Sequence, residues 1–133
     1  MAETKPAGAR PLSPHLQIYR PMLTMLMSII HRITGVALYA GVVLLVWWLT
    51  AAASSDEYYA FVQGIFGSWF GLLVLFGFTW ALLHHMLGGL RHLIWDSGRG
   101  FELKTVEMLA RANLAGSILL TVLIWAIGYG VRS

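Results

Sequence analysis

Three stretches of this 133-residue chain carry no Lys, Arg, Asp or Glu: residues 33–55, 58–90 and 112–131. Each can cover the roughly 20 helical residues that a bilayer core demands. With 58% hydrophobic and only 11% charged residues, the whole chain lies far from soluble usage. In hydrocarbon, backbone polar groups are satisfied within a helix or around a closed barrel, and these continuous runs lack the short alternating strands of a barrel. The expected fold class is therefore an all-α membrane protein with three transmembrane helices, spanning about 24–51, 68–94 and 105–130.

Around those helices the chain divides into an N-terminal surface segment, residues 1–22, and a transmembrane domain, residues 23–133. Pro14 and Pro21 favour extended or turn structure before the first helix. "SSDEYY" at 54–59 reads as a short polar turn leading into an interfacial segment through Gln63, and "DSGRGFE" at 96–102 as a Gly-rich loop. Lys5, Arg10 and Arg20 precede the first helix, and Arg91, Arg99, Lys104 and Arg111 surround the second loop, whereas the first loop has only Asp56 and Glu57. The positive-inside rule puts the N-terminus and second loop in the cytoplasm and the C-terminus in the periplasm, with Arg132 as the one basic exception. Trp47, Trp48, Tyr58, Tyr59, Trp95 and Tyr129 fall near the interfaces, as amphipathic rings do. "MAETKPAGAR" has neither a secretory apolar core nor a transit-peptide pattern, which favours a bacterial inner membrane. Without cysteine the chain has no thiolate site, so any iron–sulfur cluster belongs to a partner.

This topology brings "SIIHRITG" (28–35) and "HHMLGGLRHLIWD" (84–96) into one leaflet. On a helix His85, Gly89 and His92 share one stripe, while His84 turns about 100° away to join Gly88 and Arg91. At a rise of about 1.5 Å per residue, His85 lies roughly 9 Å deeper than Arg91. A neutral imidazole at that depth can bind haem iron, and Gly88 and Gly89 leave room for a flat macrocycle. Arg91, His92, His31 and Arg32 sit shallower, where haem propionates need cationic or hydrogen-bonding partners. The plainer reading is a histidine bonded between helices, close packing at Gly-Gly and an arginine that snorkels. Ser28 and Arg32, one turn apart, can converge on a quinone carbonyl and stabilise the negative charge gained on reduction. Against this stands a Ser28 hydroxyl bonded to its own helix. "GSWFG" (67–71) fits helix packing. Spacing leaves His84 and His85 both open as the ligand. A haem-free packing protein or a small carrier is a rival reading, although the first-loop side offers a carrier no matching polar site.

Three motifs taken together, "RPLSPHLQIY" (10–19), S-x-x-H-R-x-T-G (28–35) and H-x-x-x-G-x-R-H-x-x-x-D (85–96), resemble the cytochrome b membrane anchor of succinate dehydrogenase, the larger of its two small anchors. The resemblance covers most of the chain. It implies a subunit of respiratory complex II, which serves the citric acid cycle and electron transport by passing electrons from succinate to membrane quinone. In that pattern His85 is an axial ligand of one haem b, the other ligand being a histidine of the second anchor, and His84 is left to pack or to support the ligand from behind. Ser28 and Arg32 carry over to the pocket for ubiquinone or menaquinone, and His31 to a place near both that pocket and the propionates, where depth along the helix also sets Arg91 and His92. Asp96 corresponds to an acid on the proton-entry side. The implied partners are the second anchor, the iron–sulfur subunit, the flavoprotein and the lipid bilayer. "SPHL" resembles a stretch that contacts the iron–sulfur subunit. No dinucleotide fingerprint or cluster motif is visible, so succinate oxidation is expected on the soluble partners.

Overall fold

A computed structural model describes residue 11, residues 13–17 and residues 20–132. Lys5, Arg10 and the start of the expected surface segment lie outside the described residues. Five helices follow in order: α1 (Pro14–Gln17), α2 (Leu23–Ser54), α3 (Asp56–Gly67), α4 (Trp69–Asp96) and α5 (Leu103–Arg132). Among the described residues there is no strand. The three long helices, α2, α4 and α5, are each long and apolar enough to cross a membrane, as the charge-free stretches required. They run one to three residues beyond the expected ends except at the start of α4, which begins at Trp69 rather than 68, and at 32 residues α2 is about 48 Å long, more than a bilayer core needs.

Two local expectations need correction. Residues 14–17, read as extended or turn, form one helical turn beginning at Pro14, a position where a missing N–H costs nothing. The first loop is a helix of 12 residues, α3, rather than a short turn. Its start is built by Ser55, whose hydroxyl accepts the Tyr58 N–H at 3.2 Å, and by Asp56 and Glu57 in the first turn, where acids suit the helix dipole. Ser68 repeats the device for α4, accepting from the Gly71 N–H at 3.1 Å. Gly71 then packs on the backbone of Ile65 and Phe66, where no side chain would fit. The 96–102 loop is turned by Gly98 and Gly100, with φ of +75° and +79°, and is tied back by the Trp95 indole N–H to the Gly100 carbonyl at 3.2 Å.

α4 is the central helix, flanked by α2 and α5, with α3 against α2 and the start of α4. Phe78 of α4 fills the notch at Gly41 of α2. Three indole N–H groups cross two interfaces: Trp47 to the Tyr58 hydroxyl and Trp48 to Gln63 Oε1 between α2 and α3, both at 2.8 Å, and Trp125 to Thr79 Oγ1 between α5 and α4 at 3.2 Å. The buried interior is small and mixed. Met27, Ala51, Val62, Ala81, Leu83 and Ala110 share it with Thr34, His84, Arg91, Asn113, Ser117 and Thr121. Most large apolar side chains face outward, as in a chain whose surroundings are hydrocarbon.

A histidine pair and a buried polar stripe

The start of α2, the end of α4 and the start of α5 meet at one end of the bundle, and the two stripes of α4 part company there. His84, Gly88 and Arg91 point into the protein, and His85, Gly89 and His92 lie at its margin. His84 is fully enclosed and Arg91 is 5% exposed, whereas His85 is half-buried and His92 exposed.

His85 is held by α2. Its Nδ1 lies 3.1 Å from the His31 carbonyl oxygen and 3.3 Å from Thr34 Oγ1. Thr34 spends its own hydrogen on the His31 carbonyl, at 2.9 Å, so both oxygens around Nδ1 are acceptors and Nδ1 carries the ring hydrogen. That leaves the Nε2 lone pair free, and Nε2 is not among the enclosed unpartnered atoms. The His31 ring stacks on His85 with centroids 3.9 Å apart and planes at 18°. Gly35 admits the His85 ring, since a methyl there would stand 3.1 Å from Cε1. His92 approaches the other partner of the pair, its centroid 5.5 Å from that of His31.

His84 is bonded to α5 instead. Its Nδ1 is 3.2 Å from Ser117 Oγ, and Ser117 gives its hydrogen to the Leu114 carbonyl at 2.9 Å, so Ser117 accepts from the ring. His84 Nε2 is enclosed without a partner, with the Trp80 ring 5.0 Å away. Arg91 reaches into the bundle with its guanidinium 5.1 Å from the Trp95 ring centre, and its Nε is also enclosed and unpartnered. The sequence put Arg91 with the shallow cations; the structure turns it inward, where Trp95 one turn on supplies a ring face.

The paired glycines are not equivalent. A methyl at Gly88 would overlap the edge of the His31 ring, whereas a methyl at Gly89 meets nothing within 4 Å. Gly88 is the seat of His31; Gly89 leaves open space one turn from His85. Ser28 and Arg32 are exposed on α2, and the Ser28 hydroxyl donates to the Thr24 carbonyl of its own helix at 3.0 Å. Asp96 is exposed at the last position of α4. Neither Arg32 nor Asp96 forms an ion pair, since among the described residues Glu107 and Arg111 make the only one.

Three buried polar residues of α5 escaped the sequence reading: Asn113, Ser117 and Thr121. Asn113 is 5% exposed with neither amide atom bonded, and its Nδ2 lies 3.6 Å from the point a Gly88 methyl would occupy. Their signal was present, because Asn113, Ser117 and Thr121 recur every four residues and form one buried polar stripe of α5.

The residues fit one ligand position of a haem iron. His85 offers one oriented imidazole nitrogen, and among the described residues no group of three His, Asp or Glu could hold a metal by itself. One turn on from His85, open space exists at Gly89 and not at Gly88.

Comparison with known proteins agrees with this architecture. The family model described as "Succinate dehydrogenase/Fumarate reductase transmembrane subunit" matches residues 7–124. The chain is 49% identical over 116 residues to the succinate dehydrogenase cytochrome b556 subunit of Paracoccus denitrificans, covering 87% of this chain and 89% of that one. It is 40% identical over 116 residues to the corresponding subunit of Rickettsia conorii, covering 87% and 90%. The mitochondrial succinate dehydrogenase cytochrome b560 subunit of Sus scrofa is 39% identical over 118 residues, which are 86% of this chain and 66% of that one.

Proposed function

The chain belongs to the succinate dehydrogenase/fumarate reductase transmembrane subunits, and from that footing we propose that it binds haem b through His85 and forms part of a quinone-reducing site. It is a cytochrome b subunit of succinate dehydrogenase, a multi-pass helical membrane chain. On this reading a flavoprotein oxidises succinate and an iron–sulfur subunit relays the electrons. A second membrane anchor supplies the other axial histidine. The membrane is the bacterial inner membrane, with the N-terminus cytoplasmic and the C-terminus periplasmic, as the placement of basic residues suggests.

The observation that carries the reading is the hold on His85. Two acceptors from α2, the His31 carbonyl and Thr34 Oγ1, fix the hydrogen on Nδ1 and leave Nε2 as the donor atom. A second bond of this kind orients a ligating imidazole and raises its basicity. His84 has the same tautomer, but its Nε2 is sealed inside the bundle. Haem b, when bound, supplies a one-electron store beside the quinone. His92, exposed beyond the pair, is suited to hydrogen-bonding a propionate, whereas His31, stacked on His85, has its Nε2 enclosed at Gly88 and lends the site its ring face. Arg91 contributes its charge from the interior.

Ser28 and Arg32 present a hydroxyl and a guanidinium on one face of α2. Turning the Ser28 hydroxyl from the Thr24 carbonyl toward a quinone oxygen costs one intrahelical bond, and Arg32 offsets the negative charge developing on that oxygen. Asp96, exposed at the same end, can hold protons on their way in. Ubiquinone and menaquinone both present such a carbonyl.

The test is a reduced-minus-oxidised spectrum of the complex purified with its second anchor. The reading requires a b-type band that His85→Ala removes and His84→Ala keeps. Absence of the band from the intact complex refutes haem binding, and the reverse pattern moves the ligand to His84.

A further inference from the structure

At the end of the bundle remote from the histidine pair, Arg132 closes α5 over two apolar hollows, one on each side of α4. The first, about 340 Å³, lies between α2, α3 and α4 and is bounded by Leu44, Trp48, Phe66, Leu75 and Phe78. The second, about 270 Å³, lies between α4 and α5 and is bounded by Ile124, Trp125, Gly128 and Tyr129. Leu72 and Arg132 border both. The indole N–H groups of Trp48 and Trp125 are already bonded, to Gln63 and Thr79, so what these rings can offer a ligand is apolar surface.

Depth and charge narrow what can occupy them. The first hollow reaches from Leu72 to Phe78 along α4, and the second from Arg132 to Ile124 along α5, or about 9–12 Å at the helical rise. One leaflet of a roughly 30 Å hydrocarbon core is about 15 Å deep, so each hollow runs through most of a leaflet. At their common mouth stands a guanidinium that pairs with no carboxylate among the described residues. Asp56 and Glu57 lie at the same end of the bundle but neither pairs with it. A quinone has one tail and no negative charge, and a partner helix needs one broad groove. Two hollows diverging from one cation match a molecule with two acyl chains and an anionic head.

We propose that Arg132 and these two hollows bind one anionic diacyl phospholipid, with its phosphate on the guanidinium and one acyl chain in each hollow. The guanidinium suits this task because its planar fork can meet two phosphate oxygens at once. The lipid seals the crevices beside α4 on the face of the membrane opposite the histidines and ties α5 to α2 and α3. The site is independent of haem or quinone binding.

The complex with its second anchor is purified in mild detergent and reconstituted into nanodiscs of phosphatidylcholine doped with phosphatidylglycerol. After re-extraction the retained lipid is counted by native mass spectrometry. Wild type is expected to retain phosphatidylglycerol preferentially, and Arg132→Gln to retain about ten-fold less, the worth of one charge-assisted hydrogen bond. Gly128→Leu tests the hollow itself. Gly128 borders the second hollow and a methyl there meets no atom within 4 Å, so a leucine side chain has room to start into that space, and retention should fall as far. Arg111→Gln, at the other end of α5, should change nothing. Equal retention of the two lipids by wild type, or undiminished retention in both Arg132→Gln and Gly128→Leu, overturns the proposal. So does efficient cross-linking of a Gly128→Cys variant to the second anchor, which would mean that protein fills the hollow.

Discussion

Replacing the two adjacent glycines of α4 one at a time separates the seat of His31 from the open margin beside His85. A methyl at Gly88 would overlap the His31 ring edge and stand 2.9 Å from its Nε2. The ring cannot simply retreat, because its other side is stacked at 3.9 Å on His85, whose Nδ1 is bonded to the His31 carbonyl. Either the ring swings out, losing a stacking contact of about 0.5–1.5 kcal/mol, or α2 and α4 part. Overpacking of this kind costs about 1–3 kcal/mol. Alanine also returns about 1 kcal/mol of helix propensity relative to glycine, but it does so at both positions. At Gly89 nothing opposes that gain within 4 Å. The expected result is that Gly88→Ala is less stable than Gly89→Ala by about 1–3 kcal/mol. Equilibrium unfolding in mild detergent measures the difference, on the chain expressed without its second anchor so that the Gly89 margin is uncovered. Equal stabilities, or Gly89→Ala as the weaker variant, would refute the argument that α2 reaches α4 through Gly88.

Ser117→Ala removes the only acceptor of the His84 ring hydrogen in a dry interior, and thermal unfolding should show a loss of about 1–3 kcal/mol; an unchanged transition would mean that His84 is satisfied by water. Thr34→Val deletes one of the two acceptors at His85 Nδ1 and leaves the His31 carbonyl. The b-type band should therefore persist while its midpoint potential rises, by an amount on the order of tens of millivolts, because the ligand becomes less basic. Redox titration of the purified complex checks this, and a lost band or a lowered potential counts against the assigned tautomer. Arg32→Ala and Ser28→Ala should depress quinone reduction while sparing succinate oxidation with a soluble acceptor, Arg32→Ala by about ten-fold or more. Parallel loss of both activities would indicate failed assembly and remove the support for a quinone contact.

The three spanning helices were legible because hydrocarbon forbids charge over about 20 residues, and a charge-free run is a direct count. The helix α3 was not, since "SSDEYY" reads by polarity as a turn while the same residues, Ser55 then Asp56 and Glu57, are what a helix start requires. The 100° between His84 and His85 was also legible, and so was their division between two stripes. Which stripe faces inward was not, because that depends on where α5 lies. Its buried polar residues, Asn113, Ser117 and Thr121, carry no charge and lie inside an apolar run, so hydropathy passes over them. Arg91 misled for a related reason. A cation near a helix end suggests the interface, yet its length lets it fold inward onto Trp95 while its backbone stays near the surface.

The two stripes of α4 also say which face of the chain cannot be a lipid face. Along the His85 margin run Ile29, Ile33 and Val36 of α2 and Met86, Leu90 and Leu93 of α4, all largely exposed. Apolar side chains of this kind suit acyl chains and partner helices equally well and decide nothing. His85 does decide. Its Nε2 has no hydrogen bond and is not enclosed, and it lies more than two helical turns from the end of α4. A bare polar atom facing hydrocarbon at that depth costs kilocalories that no neighbour here repays. His84, one residue earlier, shows the alternative that the chain had available, an imidazole turned inward and bonded to α5. Because α2 instead clamps His85 at the margin through Nδ1, what covers this face on the proposed reading engages Nε2. A cofactor shared with another subunit meets the requirement, and a purely apolar partner helix does not.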